Sequence, residues 1–106
     1  MEEKIKISIL LTLYGNLLTE TQRKYMDLYY NEDLSLSEIG DNENITRQAV
    51  RTILVKSKKK LQEYEEQLQF MQKEKAIKEL TQKLEETNIN KEQKQIIEQI
   101  NSKLDF

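Results

Sequence analysis

Arg47, Gln48, Arg51 and Thr52 stand one, three and four residues apart, so on a helix their side chains share one face. Those side chains suit the recognition of base edges. An arginine fork bonds two acceptors of guanine, a glutamine amide both accepts from and donates to adenine, and a threonine hydroxyl serves either. Just before them Thr46 offers a hydroxyl, and just after them Lys56, Lys58 and Lys59 offer ammonium groups suited to phosphate oxygens. Between Thr46 and Lys60 there are six lysines and arginines and no acidic residue, although the whole chain carries a net charge of -2. Lys58, Lys59 and Lys60 taken alone are better explained as a solvated helix face. The acidic residues Asp33, Glu38, Asp41 and Glu43 lie close by in sequence and oppose phosphate binding, which predicts a modest and salt-dependent affinity.

Other chemistry is thin. With no cysteine and no histidine, neither a disulfide framework nor the usual zinc constellations can be assembled. There is no glycine-rich phosphate loop and no nucleophile beside a base, so no catalytic residue, metal or cofactor is expected. Glu63, Glu65, Glu66, Glu85 and Glu86 are interleaved with lysine and glutamine, the ordinary pattern of exposed helix faces. Of the five tyrosines, Tyr14, Tyr25, Tyr29 and Tyr64 have core spacing, and Tyr30 is left open as a base-stacking residue.

The elements that hold these residues are all helices. The 106 residues contain no proline and only two glycines, with lysine, glutamate, glutamine and leucine abundant. A first helix over about Glu3–Asn16 is expected to bury Ile5, Ile9, Leu10, Leu13, Tyr14 and Leu17, against a polar stripe of Ser8, Thr12, Asn16 and Thr19. That stripe, with Glu2 and Glu3, distinguishes the segment from a secretory signal, and it is too short to span a membrane. A cytoplasmic location is the expectation.

Thr19 and Gln22 form a capping box opening a second helix to about Asn31, and Ser35 and Glu38 open a third, which Gly40-Asp41-Asn42-Glu43-Asn44 should end within about two turns. Thr46 caps a fourth helix. Along it Val50, Leu54, Leu61, Tyr64, Leu68 and Met71 follow heptad spacing, with Ser57 in one seam position, until Lys73-Glu74-Lys75 interrupts the phase and predicts a break. A fifth helix to about Glu86 and a sixth capped by Asn90, carrying Ile96, Ile97, Ile100 and Leu104, complete the chain.

Leu36 to Ile53 fits a helix-turn-helix position by position. Ile39, Val50 and Ile53 bury their side chains where the two helices face each other, and Ile45 follows the turn. Gly40 lies at the crossing point, where a small residue is required, and Asn44 at the turn position that needs a positive φ. Glu43 fits poorly, since that place normally takes an apolar side chain.

With these residues in view, the chain resembles the YlxM family of helix-turn-helix proteins of Gram-positive bacteria and mollicutes. The resemblance is carried by Leu17-Leu18-Thr19, Gln22-Arg23, Leu28-Tyr29-Tyr30, Glu32-Asp33-Leu34-Ser35-Leu36, Glu38-Ile39, Arg47-Gln48-Ala49-Val50 and Tyr64-Glu65, over about the first seventy residues. The central segment is similar to region 4 of bacterial sigma factors. The family implies an all-helical fold and a regulatory role in the signal recognition particle pathway. The chain departs from it at Gly40, where alanine is usual, at Glu43, where an apolar residue is usual, and at Arg51-Thr52-Ile53, which alters the presumed reading face.

The expected architecture is therefore all-α: a sigma region 4-like helix-turn-helix (about 36–56), a long following helix and two C-terminal helices, arranged as a domain over 1–72 and an extension over 73–106. The expected partner is nucleic acid, DNA before RNA, with signal recognition particle components as further candidates and no membrane. The heptad seam needs cover beyond the first helix, which predicts a homodimer, with the last two helices folding back on the same chain as the alternative. The competing expectation is a protein interaction module built on the long helix, with the helix-turn-helix as scaffold.

Overall fold

In the computed structural model, which describes residues 2–104, three helices start by the same device. The Gln22 N–H donates to the Thr19 hydroxyl (3.2 Å) while the Gln22 side chain accepts from the Thr19 N–H (3.1 Å). Ser35 with Glu38 and Asn90 with Gln93 repeat the exchange at 2.8 to 3.1 Å. Each box pairs two amides that a helix N-terminus otherwise leaves without a partner. In the second box, the Ser35 amide holds the Glu38 carboxyl below the usual carboxylate range. The helices so defined are α1 (Glu3–Tyr14), α2 (Glu20–Tyr30), α3 (Leu36–Glu43), α4 (Arg47–Leu68), α5 (Phe70–Glu85) and α6 (Lys91–Ser102), with a 3₁₀ turn over Gly15–Leu17. The described residues are helical with no strand, as the composition requires.

The chain divides into two units, Met1–Leu68 and Gln69–Phe106. In the first, α4 is the spine on which α1, α2 and α3 all pack. Ile7 and Leu10 of α1, Met26 of α2, Ile39 of α3, and Val50 and Leu61 of α4 are fully buried, each worth ~1.5–3 kcal/mol of hydrophobic stabilisation. Ser57 fills its seam position without exposure, and its hydroxyl is satisfied by donating to the Ile53 carbonyl at 2.7 Å. The heptad seam is thus covered as far as Leu61 by helices of the same chain.

Two expectations are corrected in this core. The buried face of α1 is Ile7, Leu10, Leu11 and Tyr14, whereas Ile5 and Leu17 are each 53% exposed and Ile9 and Leu13 half-buried. The helix is apolar on most sides, so periodicity does not select one of them. Glu65, expected on a solvated face, is buried and accepts a hydrogen bond from the Tyr14 hydroxyl at 2.7 Å. It lies two turns beyond Ser57 and one turn beyond Leu61, on the same inward-facing side of α4.

Between α3 and α4 the chain turns tightly. α3 runs through Glu43, the expected length of about two turns, and ends where Asn44 adopts a left-handed conformation with φ 57°. The Ile45 N–H then donates back to the Gly40 carbonyl at 3.1 Å, the closing bond of a Schellman motif. A Cβ on Gly40 would lie 2.8 Å from the Ile45 carbonyl oxygen, so the close approach is what requires glycine here.

The break expected near Lys73 falls earlier. Gln69 takes a left-handed conformation with φ 58°, ending α4 at Leu68. Neither glycine nor asparagine marks the spot, and the loss of heptad phase appears only a turn later. In the second unit α5 packs with α6, the Thr81 hydroxyl donates to the Asn101 side chain at 2.8 Å, and Ile97 is fully buried.

Candidate nucleic-acid interface

The Ala49 N–H donates to the Thr46 hydroxyl at 3.0 Å, fixing the start of α4. Accepting this bond leaves the hydroxyl's own proton to be donated, and a phosphate oxygen could accept it. Val50 is fully buried and Ile53 half-buried, which orients the helix about its axis. Arg47, Gln48, Arg51, Thr52, Lys56 and Lys59 are consequently exposed, over a length of ~18 Å at 1.5 Å rise per residue. The Thr52 hydroxyl donates to the Gln48 carbonyl at 3.0 Å, leaving its lone pairs outward.

Val55 belongs to this face and was missed. It is 51% exposed, four residues after Arg51 and four before Lys59. Helical spacing from Gln48 would have found it, but an apolar residue draws attention to the core instead. Its side chain can make the apolar contact that a thymine methyl offers in the major groove.

The electrostatics divide the cations into two groups. Among the described residues Arg47, Arg51, Lys56 and Lys59 make no ion pair. Lys58, by contrast, is half-buried and bonded to the Glu3 carboxylate of α1. That bond holds the Glu3 carboxyl below its ordinary range and the Lys58 ammonium above its own. Lys58 is therefore set apart from the other phosphate candidates, since it reaches a phosphate only by leaving Glu3.

The acidic residues beside α4 are also partly accounted for. Lys24 of α2 bonds Glu43 at 2.7 Å, and Lys4 of α1 bonds Asp33; hydrogen bonding to the carboxylate raises each lysine above its ordinary pKa. Glu43 is half-buried, its stem at the apolar position and its head on Lys24, which explains the misfit seen in the sequence. Asp41 is exposed and Glu38 is engaged with the Ser35 amide. Tyr30 is half-buried and meets Tyr29 edge-on, ring centroids 4.9 Å apart, with burial pushing its hydroxyl pKa up.

An exposed cationic helix held against a shorter helix by a left-handed asparagine is the geometry that a family match can now be set beside. The family model described as "Putative helix-turn-helix protein, YlxM / p13 like" matches residues 1–102. The chain belongs to this family. A UPF0122 protein of Clostridium kluyveri is 51% identical over 79 residues, covering 74% of this chain and 71% of its own. UPF0122 proteins of Bacillus cereus and Bacillus anthracis are 41% identical over alignments of 110 positions covering 99% of each chain. The family is described by its helix-turn-helix and not by a reaction. Among the described residues no cluster of side chains could hold a metal ion, and no helix is long and apolar enough to cross a membrane.

Proposed function

We propose that this family member binds duplex DNA by laying the N-terminal half of α4 in the major groove. Arg47, Gln48, Arg51, Thr52 and Val55 read base edges, while Thr46, Lys56 and Lys59 hold phosphates. The observation that carries this reading is the run of exposed cations on α4 that make no ion pair among the described residues, whereas Lys4, Lys24 and Lys58 are bonded to acidic residues. DNA is favoured over RNA because the A-form major groove is too deep and narrow to admit a helix. The protein works as a homodimer, placing two recognition helices about one turn of DNA, ~34 Å, apart and preferring a pseudo-palindrome. Regulation within the signal recognition particle pathway, implied by the family resemblance, is the cellular setting assigned to this binding.

Fluorescence anisotropy on labelled duplex at two salt concentrations tests the reading. The logarithm of the association constant should fall against that of salt with a slope of roughly −2 to −4 per chain, as a few neutralised phosphates require. Absence of binding to duplexes of any sequence at low salt would end it.

A further inference from the structure

We infer that α5 and α6 form the surface through which two copies of this chain associate. Phe70, Ile77, Leu80 and Leu84 of α5 and Ile96 and Ile100 of α6 are all exposed, Leu80 by 63%. Together they leave on the order of 500 Å² of apolar surface in water, the scale of patches that mark interaction sites. That is more than half of the ~800 Å² that one partner contributes to a stable interface. On α5 the spacing 77, 80, 84 is a helical stripe, and on α6 Ile96 and Ile100 are one turn apart.

Among its described residues, the unit that bears these side chains buries little apolar surface. Its buried residues among those described are Ile97 and Thr81. Units shorter than ~40 residues need a disulfide, a metal or association to persist. The chain has no cysteine, and the described residues include no metal-holding group. Association remains, and the charges select the partner. Residues 69–106 hold seven lysines and seven acidic residues interleaved along the chain. Such a surface has no net field to attract a strongly charged partner or to repel its own copy, and it can pair lysine with glutamate around a shared apolar centre. The α4 seam cannot serve this purpose as far as Leu61, because α1 to α3 already cover it.

This inference rests on the homodimer of the proposed function and assigns its surface. Sedimentation equilibrium of the full chain at micromolar concentration should give a dimer, and Leu80→Asp with Leu84→Asp should give a monomer whose α1 to α4 unit still unfolds cooperatively. Amide hydrogen exchange on the unmodified chain supplies a readout independent of any variant. Protection in α5 and α6 should rise with protein concentration while that in α1 to α4 stays constant. A dimer that survives both substitutions overturns this surface and leaves dimerisation standing. A monomeric intact chain overturns this surface and the dimer together, and α5 and α6 protection that stays constant while the chain passes from monomer to dimer overturns this surface.

Discussion

Lys58 shows how one contact changes the role that a residue's position suggests. Its sequence neighbours Lys56 and Lys59 are exposed and make no ion pair among the described residues, whereas Lys58 turns toward α1 and bonds Glu3. Both partners are charged at neutral pH, since Glu3 titrates below its ordinary value and Lys58 above its own. Glu3's contribution is present above the unfolded carboxyl pKa and is lost as pH falls through its lowered folded value. Because Glu3 is exposed, the pair contributes little to folding stability. Glu3→Gln should leave thermal unfolding nearly unchanged and free Lys58 for a phosphate. The duplex-binding salt slope should then steepen by about one unit. An unchanged slope in anisotropy titrations would show that Lys58 does not reach DNA even when released. No sequence pattern announces this pairing, because Glu3 and Lys58 are brought together only by the packing of α1 on α4.

At the scale of the elements, the capping boxes, the left-handed Asn44 and the close approach at Gly40 were all legible, because each depends on residues a few positions apart. Packing that depends on distant residues was not legible. The inward face of α1 is chosen by α2 and α4, and Glu65 is buried because Tyr14 meets it from a helix far away in sequence. The site followed the same division. The shared exposed face of Arg47, Gln48, Arg51 and Thr52 follows from local spacing, while the diversion of Lys58 and the half-burial of Tyr30 depend on α1. Gly40 allows a sharp prediction here. Alanine has the better helix propensity, yet its Cβ would press on the Ile45 carbonyl, a backbone atom fixed by the turn. Gly40→Ala should therefore destabilise the first unit by about 1–2 kcal/mol in denaturant unfolding. A stabilised variant would mean that the turn relaxes freely and that glycine is not needed for the approach.

For the whole molecule, the helices divide the work. The first unit holds the exposed face of α4 on a packed core, and the second bears the surface proposed for association. A chain with a net charge of -2 binds DNA only if its cations are concentrated and its nearby acids are neutralised. Around α4 the cations are concentrated and Lys24 and Lys4 hold Glu43 and Asp33, while Asp41 stays exposed and opposes binding. The central claim is that the N-terminal face of α4 carries the binding, and charge reversal there tests it most directly. Fluorescence anisotropy would compare the intact chain with Arg47→Glu Arg51→Glu on the same duplex at low salt, thermal unfolding confirming that both are folded. Each lost base contact costs ~1–3 kcal/mol, so the account predicts an affinity reduced by about a hundredfold or more. A folded variant that binds the duplex as tightly as the intact chain would contradict it.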